Sequence, residues 1–192
     1  MTLNIALLYG SVRTERKGIG FARFLEAQVA RRGHNATLID ALEHRIPLLD
    51  KMYKEYPAGA APAALEAIAA IIRPADGFVI VSGEYNHGIP PALKNLLDHF
   101  LEEWFWRPSA IACYSAGSFG GVRAAMQLRA TLAELRMPSI PSLLPAPRVQ
   151  DAFALDGTPK DPAWEGRVGR FLDELEWYAH ALKAARAKGL PY

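Results

Sequence analysis

Four consecutive residues, 84–87, carry in turn a carboxylate, a phenol, an amide and an imidazole. They follow the apolar run 77–81, whose length and β-branched residues are typical of a buried strand. Apolar residues with helical spacing begin again at Leu93. Side chains that can hydrogen-bond a flat ring or move a proton therefore occupy a loop between a strand and a helix. In an open α/β sheet, ligands bind beside such loops, just beyond the carboxyl ends of the strands.

A basic loop at residues 10–18 follows the first predicted strand. It carries a hydroxyl at Ser11, guanidinium groups at Arg13 and Arg16, and an ammonium group at Lys17. Arginine binds phosphate with two parallel hydrogen bonds, lysine acts as a point charge, and the helix that follows begins with N–H groups that favour anions. We therefore interpret the loop as a phosphate site, the alternative being a solvated basic loop. It lacks the Lys-Ser/Thr ending of a P-loop, so nucleoside triphosphate hydrolysis is not predicted.

These loops belong to a chain in which strands and helices alternate. The pattern predicts strands at 3–8, 35–40, 77–82 and 109–115, and a short fifth strand near 137–140. It predicts helices around 21–29 (ended by Gly33), 65–72, 91–104, 124–135 and 168–182, and long loops at 45–62 and 138–162. Such alternation favours a mainly parallel sheet covered on both faces.

We predict an α/β fold, a flavodoxin-like three-layer sandwich whose five-stranded parallel sheet has the order 2-1-3-4-5. Residues 1–192 are expected to form one domain, since domains of roughly 100–200 residues are usual. In this order the topological switch lies between the first and third strands. The loops at 10–20 and 83–90 would face one another there, with 116–121 beside them. We therefore expect one site built from three loops.

Composition limits the possible partners and compartment. A formal net charge of +2 is too small to indicate a nucleic-acid partner, and 51% hydrophobic residues exclude a disordered chain. The single cysteine, Cys113, excludes an internal disulfide and fits a reducing compartment. No apolar stretch approaches the ~18 residues of a membrane span, and no leader precedes the first strand. We expect a cytoplasmic protein with no membrane partner and no metal.

Two other patterns indicate other functions less well. The Gly18-Ile-Gly20 segment is an incomplete dinucleotide-binding fingerprint, because the third glycine is missing, although Asp40 does end the second predicted strand. Ser118 lies at a strand-to-helix turn, as the nucleophile of a small serine esterase would. However, the first glycine of that motif is absent, and the only later histidine, His180, lies within a predicted helix.

Three segments together resemble the NADPH-dependent FMN reductase family of flavodoxin-like flavoproteins. GSVRTERKG at 10–18 is similar to its phosphate loop, and GEYNHGIPPALKNLLD at 83–98 resembles its second block. Arg107-Pro108, a strand and then SAGSFGGVRA at 115–124 are similar to its third block. Two positions differ from the family pattern. Gly83 replaces the usual proline, and the Gly18-Ile-Gly20 segment replaces a polar residue, so that one phosphate hydrogen bond is expected from the main chain.

The resemblance implies FMN as cofactor and NADPH or NADH as co-substrate. The FMN phosphate would be held by Ser11, Arg13 and Arg16, with Lys17, Gly18 and Ile19 along the same loop. The isoalloxazine ring would be lined by Glu84, Tyr85, Asn86 and His87, with Ser115, Gly117, Gly120 and Gly121 at its pyrimidine end. Hydride transfer needs no protein nucleophile, so His87 and Tyr85 are candidates only for delivering a proton.

The resemblance also implies a ping-pong oxidoreductase that passes hydride from NAD(P)H through FMN to a quinone, a flavin or a similar small acceptor. It implies a homodimer or homotetramer. A flavodoxin-type electron carrier without NAD(P)H activity is the alternative. Such a carrier would present a phosphate loop rich in Ser/Thr and a strongly acidic surface, which this chain lacks.

Overall fold

The computed structural model describes residues 1–191. The strands are β1 (Asn4–Tyr9), β2 (Asn35–Asp40), β3 (Gly77–Gly83), β4 (Ser109–Tyr114) and β5 (Ser139–Ala146). The helices are α1 (Ile19–Arg31), α2 (Ala41–His44), α3 (Ala63–Ile72), α4 (Pro91–Asp98), α5 (Val122–Glu134), α6 (Val149–Ala152) and α7 (Ala163–Arg186). Short 3-10 turns lie at Tyr53–Glu55 and Glu102–Trp104. Among residues 1–191, no helix has both the length and the apolar character needed to cross a bilayer.

The strands form one parallel sheet in the order β2-β1-β3-β4-β5, which confirms the predicted fold and topology. Alternate residues of β3 face opposite sides of the sheet: Val79 packs into a core with α1 and α7, and Ile80 into a core with α3, α4 and α5. The sheet is therefore covered on both faces. Because its strands are parallel, all the loops that follow them leave from one edge.

The last strand corrects the sequence prediction. It runs from 139 to 146, so the predicted strand at 137–140 is too early, and the loop predicted at 138–162 is wrong over its first part. Its prolines, Pro141 and Pro145, are tolerated because β5 is an edge strand paired only with β4. The pairing is irregular beside Pro141, where Arg129 donates to the carbonyl oxygens of Ile140 (3.1 Å) and Pro141 (2.6 Å).

The helix predicted at 91–104 is also shorter than expected, because α4 ends at Asp98. Leu101 leaves the helical region with φ −137° and ψ −75°. The indole N–H of buried Trp104 then turns back to the carbonyl oxygens of Leu97 (3.0 Å) and Phe100 (3.1 Å). An aromatic side chain thus satisfies carbonyl groups that further helical turns would otherwise have bonded.

Candidate functional site

The two polar loops meet at the carboxyl edge of the sheet. The hydroxyl of Ser11, which is 3% exposed, lies 3.1 Å from the hydroxyl of Tyr85. This hydrogen bond joins the basic loop after β1 to the polar turn after β3, and β1 and β3 are neighbours in the sheet. The predicted convergence of these loops at the switch point is confirmed.

The polar turn after β3 has an unusual backbone. Tyr85 and Gly88 exchange two main-chain hydrogen bonds, of 3.1 and 2.9 Å, around two residues in the left-handed region, Asn86 (φ 50°) and His87 (φ 67°). Such conformations cost of the order of 1–3 kcal/mol each outside glycine and persist where surrounding structure imposes them. Gln127 of α5 supplies such a restraint, because its side-chain amide donates to the His87 carbonyl at 3.0 Å. The Asn86 and His87 side chains remain exposed.

Glu84 fixes the same turn to α5. One of its carboxylate oxygens accepts from the main-chain N–H groups of Arg123 (3.0 Å) and Ala124 (3.2 Å). The other lies 3.4 Å from the Arg123 guanidinium, and the Glu84 side chain is only 8% exposed. A carboxylate at a helix N-terminus is favourable because it satisfies free N–H groups and faces the positive end of the helix dipole. The Glu84 side chain is thus used to position the turn, leaving its main chain beside the cleft.

The cations of the basic loop differ in their partners. The Arg16 guanidinium nitrogen Nη1 lies 2.5 Å from both carboxylate oxygens of buried Asp40, which ties the loop to the end of β2. Lys17 pairs at 3.1 Å with exposed Glu15. Arg13 is exposed and forms no ion pair within residues 1–191. Arg13 is therefore the cation of this loop whose charge is left for a ligand.

The third loop, 115–121, is held by its own serine. Ser115 Oγ donates to the Gly117 carbonyl (3.0 Å) and accepts from the Gly120 N–H (2.9 Å). Gly121 has a φ of +82°, and a Cβ there would lie 2.6 Å from the carbonyl oxygen of Tyr114, so no other residue fits without movement. Ser115 thus shapes the loop, and of this loop Ser115 and Ala116 line the cleft, whereas Gly117, Gly120 and Gly121 do not.

Sequence reasoning missed two tyrosines beneath these loops. Tyr9 is the last residue of β1 and Tyr114 the last of β4, and their ring centroids lie 6.2 Å apart. A Cβ at Gly18 would lie 2.3 Å from the Tyr114 ring, and one at Gly83 would lie 3.1 Å from the Tyr114 hydroxyl. Glycine instead of the family's proline at position 83 thus leaves room for this ring. The sequence feature that could have revealed them is a tyrosine at the carboxyl end of β1 and another at the carboxyl end of β4.

Burial controls the ionisation of both phenols. It raises the pKa of Tyr9 above 10, although the hydroxyls of Tyr114 and Ser11 and the charge of Arg16 act in the opposite direction. Burial raises the pKa of Tyr114 well above 10 as well. Both groups are therefore neutral O–H donors at ordinary pH. Within residues 1–191 the Tyr9 hydroxyl makes no hydrogen bond of ordinary geometry.

A cleft with a volume of about 120 Å³ lies between the loops. Its lining residues are Ser11, Arg13, Glu15, Arg16, Lys17, Gly83, Glu84, Tyr85, Tyr114, Ser115, Ala116 and Val149. Pockets that enclose a whole small-molecule ligand usually measure ~300–1,000 Å³. The enclosed volume therefore suits one polar end of a ligand, and the exposed turn at 86–87 lies outside it.

The serine esterase arrangement is not formed. Ser118 is exposed on the loop after β4, at the carboxyl edge of the sheet. The His180 ring lies 6.4 Å from that of His34, and His34 Nδ1 accepts from the N–H of Leu3 at the opposite, amino edge. The imidazole that a triad would need beside Ser118 is therefore at the other end of the sheet.

Comparisons with known proteins agree with this geometry. The sequence model of the NADPH-dependent FMN reductase family matches residues 3–151. An NAD(P)H-dependent FMN reductase of Schizosaccharomyces pombe is 43% identical over 109 residues, which are 55% of this chain and 50% of that protein. The chain thus spans about half the length of this relative.

Two further comparisons cover more of the chain. An NAD(P)H-dependent FMN reductase of a Nectria species is 30% identical over 167 residues, covering 78% of this chain and 79% of that protein. Among solved structures, the flavoenzyme NAD(P)H:acceptor oxidoreductase FerB of Paracoccus denitrificans superposes with a TM-score of 0.71 at 21% identity, covering 92% of this chain and 99% of that one. At this identity the structural likeness establishes the fold.

Proposed function

Because this chain belongs to the NADPH-dependent FMN reductase family, we propose that it is an FMN-dependent oxidoreductase that transfers hydride from NAD(P)H to a quinone, a flavin or a similar small acceptor. The observation that carries the proposal is the Ser11–Tyr85 hydrogen bond. It unites a cationic loop and a polar turn at the sheet edge where flavodoxin-like folds bind their ligands.

The basic loop fits a phosphate. Within residues 1–191 Arg13 has no counter-ion, Ser11 contributes a hydroxyl, and Lys17, which pairs with exposed Glu15, adds a second exposed cation. The N-cap of α1 is Gly18, which has no side chain to bond the first N–H groups of the helix. The Ile19 N–H donates to the Arg16 carbonyl oxygen at 3.3 Å, and the N–H groups of Gly20 and Phe21 remain for an anion. In this proposal Arg16 contributes mainly by holding the loop against Asp40.

The turn at 86–87 and the loop 115–121 fit a flat ring with one polar edge. Both present main chain, and the absence of a side chain at Gly117, where nothing lies within 4 Å of a Cβ position, permits close approach. Main-chain N–H groups aimed at such an edge would stabilise negative charge on a reduced ring. When bound, FMN supplies the hydride chemistry, accepting from NAD(P)H and donating to the acceptor.

We assign different tasks to the two candidate proton donors. The Tyr85 hydroxyl is engaged by Ser11 and lies toward the phosphate loop, so its task is to hold the two loops together. His87 is exposed at the tip of the turn, where an imidazole can exchange protons with a reduced acceptor.

We further propose one domain over residues 1–192, a homodimer or homotetramer, and a cytoplasmic location. The 120 Å³ cleft is open, and a second copy of the chain could cover it.

The only cysteine, Cys113, is buried among apolar groups that raise its pKa to about 12, as fits a thiol kept reduced. The proposal includes both NADPH and NADH as co-substrates.

The test is the absorption spectrum of the purified protein before and after adding NADPH, followed by steady-state turnover with a quinone. We expect a bound flavin that bleaches with NADPH and sustained oxidation of NADPH when quinone is present. Bound flavin without sustained oxidation would identify an electron carrier instead. A protein that binds no FMN would refute the proposal, and a Ser118→Ala variant with full activity would exclude the esterase.

A further inference from the structure

Tyr114 lines the cleft and Tyr9 is buried next to it, and the preceding assignments use neither of their hydroxyl groups. Tyr9 is 0% exposed and its hydroxyl has no hydrogen bond of ordinary geometry within the described residues. Tyr114 is 7% exposed and lines the cleft. A buried polar group without a partner costs about 1–3 kcal/mol. An unpartnered Tyr9 hydroxyl beside a second phenol, Tyr114, that lines the cleft beneath a cationic loop therefore points to a ligand that completes the hydrogen bonding there.

The position of Tyr114 specifies which part of the ligand it would meet. The end of the Tyr114 ring that carries the hydroxyl lies against Gly18, where a Cβ would be 2.3 Å from the Tyr114 Cζ. Gly18 is the N-cap of α1, the position whose side chain ordinarily offers a polar atom to the helix N-terminus. The phenol thus occupies the space of the missing side chain, at the helix end where an anion binds.

The other donors in the loop are partly committed. Nη1 of Arg16 bonds Asp40, and the Ser11 hydroxyl is shared with Tyr85. A phosphate group presents several acceptor oxygens. Because these oxygens carry negative charge, hydrogen bonds donated to them are stronger than hydrogen bonds between neutral groups. Because burial raises its pKa, the Tyr114 phenol stays protonated and can only donate to such a charge.

We propose that the Tyr114 hydroxyl, positioned by the stacked ring of Tyr9, donates a hydrogen bond to the flavin phosphate and makes the site selective for FMN over riboflavin. This inference rests on the proposed function, since it concerns the same cofactor. Tyr114 is the contacting residue, and Tyr9 is a positioning residue behind it.

The experiment uses the full chain freed of flavin and measures the dissociation constants of FMN and riboflavin by quenching of flavin fluorescence. Tyr114→Phe keeps the ring between Gly18 and Gly83 and removes only the hydroxyl. We expect this variant to lose about tenfold or more in FMN affinity, the usual effect of one hydrogen bond to a charged group. Riboflavin affinity should stay within twofold of the original, and Tyr9→Phe should give a smaller loss that is again confined to FMN.

Three results would separate the possible failures. Equal losses for FMN and riboflavin in Tyr114→Phe would make Tyr114 a packing residue and overturn the inference, as would unchanged affinity for both. If Tyr114→Phe does not fold, an unchanged FMN-to-riboflavin ratio in Tyr9→Phe overturns it. Original protein that binds neither flavin would refute the proposed function itself.

Discussion

The two edges of the sheet differ in how completely the protein pairs their charged groups. At the amino edge, Asp76 is 4% exposed, accepts from the Asn4 N–H (3.0 Å), and pairs with Lys183 (2.8 Å) and Arg186 (3.3 Å). Nearby, Arg107 donates to main-chain carbonyl oxygens. At the carboxyl edge, Arg13 has no ion pair within residues 1–191. Polar groups satisfied by the protein stabilise the fold, whereas those left unsatisfied indicate where a ligand binds.

The largest effect should come from the amino edge. We expect Asp76→Ala to lower the free energy of unfolding by about 3–5 kcal/mol, because it leaves partly buried cations without their counter-charge. Denaturant unfolding measures this change. Asp50→Ala, which removes an exposed carboxylate, should change it by less than about 0.5 kcal/mol. Near-equal stabilities of the two variants would contradict the structural role of Asp76.

At the carboxyl edge we expect a substitution to weaken ligand binding and to leave the free energy of unfolding nearly unchanged. We expect Arg13→Ala to weaken FMN binding by about tenfold to a hundredfold, since a charge-assisted hydrogen bond to phosphate is lost. Its free energy of unfolding without flavin should stay within about 0.5 kcal/mol. Titration with FMN checks the first point, and Arg31→Ala, an exposed cation on α1, is the matched control. Unchanged FMN affinity in Arg13→Ala would refute the phosphate assignment.

Glu84 both stabilises the fold and positions the turn beside the ligand site. Glu84→Ala should lower the free energy of unfolding by about 1 kcal/mol, because the first N–H groups of α5 lose their acceptor. Because the turn at 84–88 loses its attachment, FMN affinity should fall as well. Parallel unfolding and FMN titrations of this variant and of Glu134→Ala, an exposed residue of the same helix, measure both quantities. A change in only one of them would argue against this coupling.

The smallest effect concerns the left-handed turn. His87→Gly and Asn86→Gly should each raise the free energy of unfolding by about 0.5–1 kcal/mol, because glycine adopts positive φ without strain. Only His87→Gly should slow quinone reduction, since it alone removes the imidazole. Unfolding curves and steady-state rates for both variants test this. Equal loss of rate in the two variants would assign the effect to the turn's conformation.

The sequence was sufficient for the parts that local patterns determine. Continuous apolar runs located β1, β3 and β4, and the polar residues after them located the loops of the site. The parallel sheet followed from the alternation of elements and the rules of parallel crossovers, and the strand order from the fit of five strands and five helices to a flavodoxin-like sheet. The prolines of β5 concealed a strand, because their tolerance depends on its position at the sheet edge.

The remaining parts of the site depend on contacts between distant residues. Arg16 was predicted only as a phosphate ligand, and its ion pair with Asp40, which is 24 positions away, was not predicted. Gln127 holds the turn at 86–87 from a helix 40 residues farther along. Tyr9 and Tyr114 resemble ordinary core residues until the sheet register brings their rings together. Periodicity in a sequence carries no information on such pairs.

The open side of β5 has a consequence for behaviour in concentrated solution. A free strand edge is a template on which another molecule can add a strand, and this is a common route to fibrils. Pro141 and Pro145 lack the N–H groups such growth requires, and Arg129 already occupies carbonyl oxygens near the irregular pairing. We therefore expect the protein to resist aggregation through this edge without a covering element.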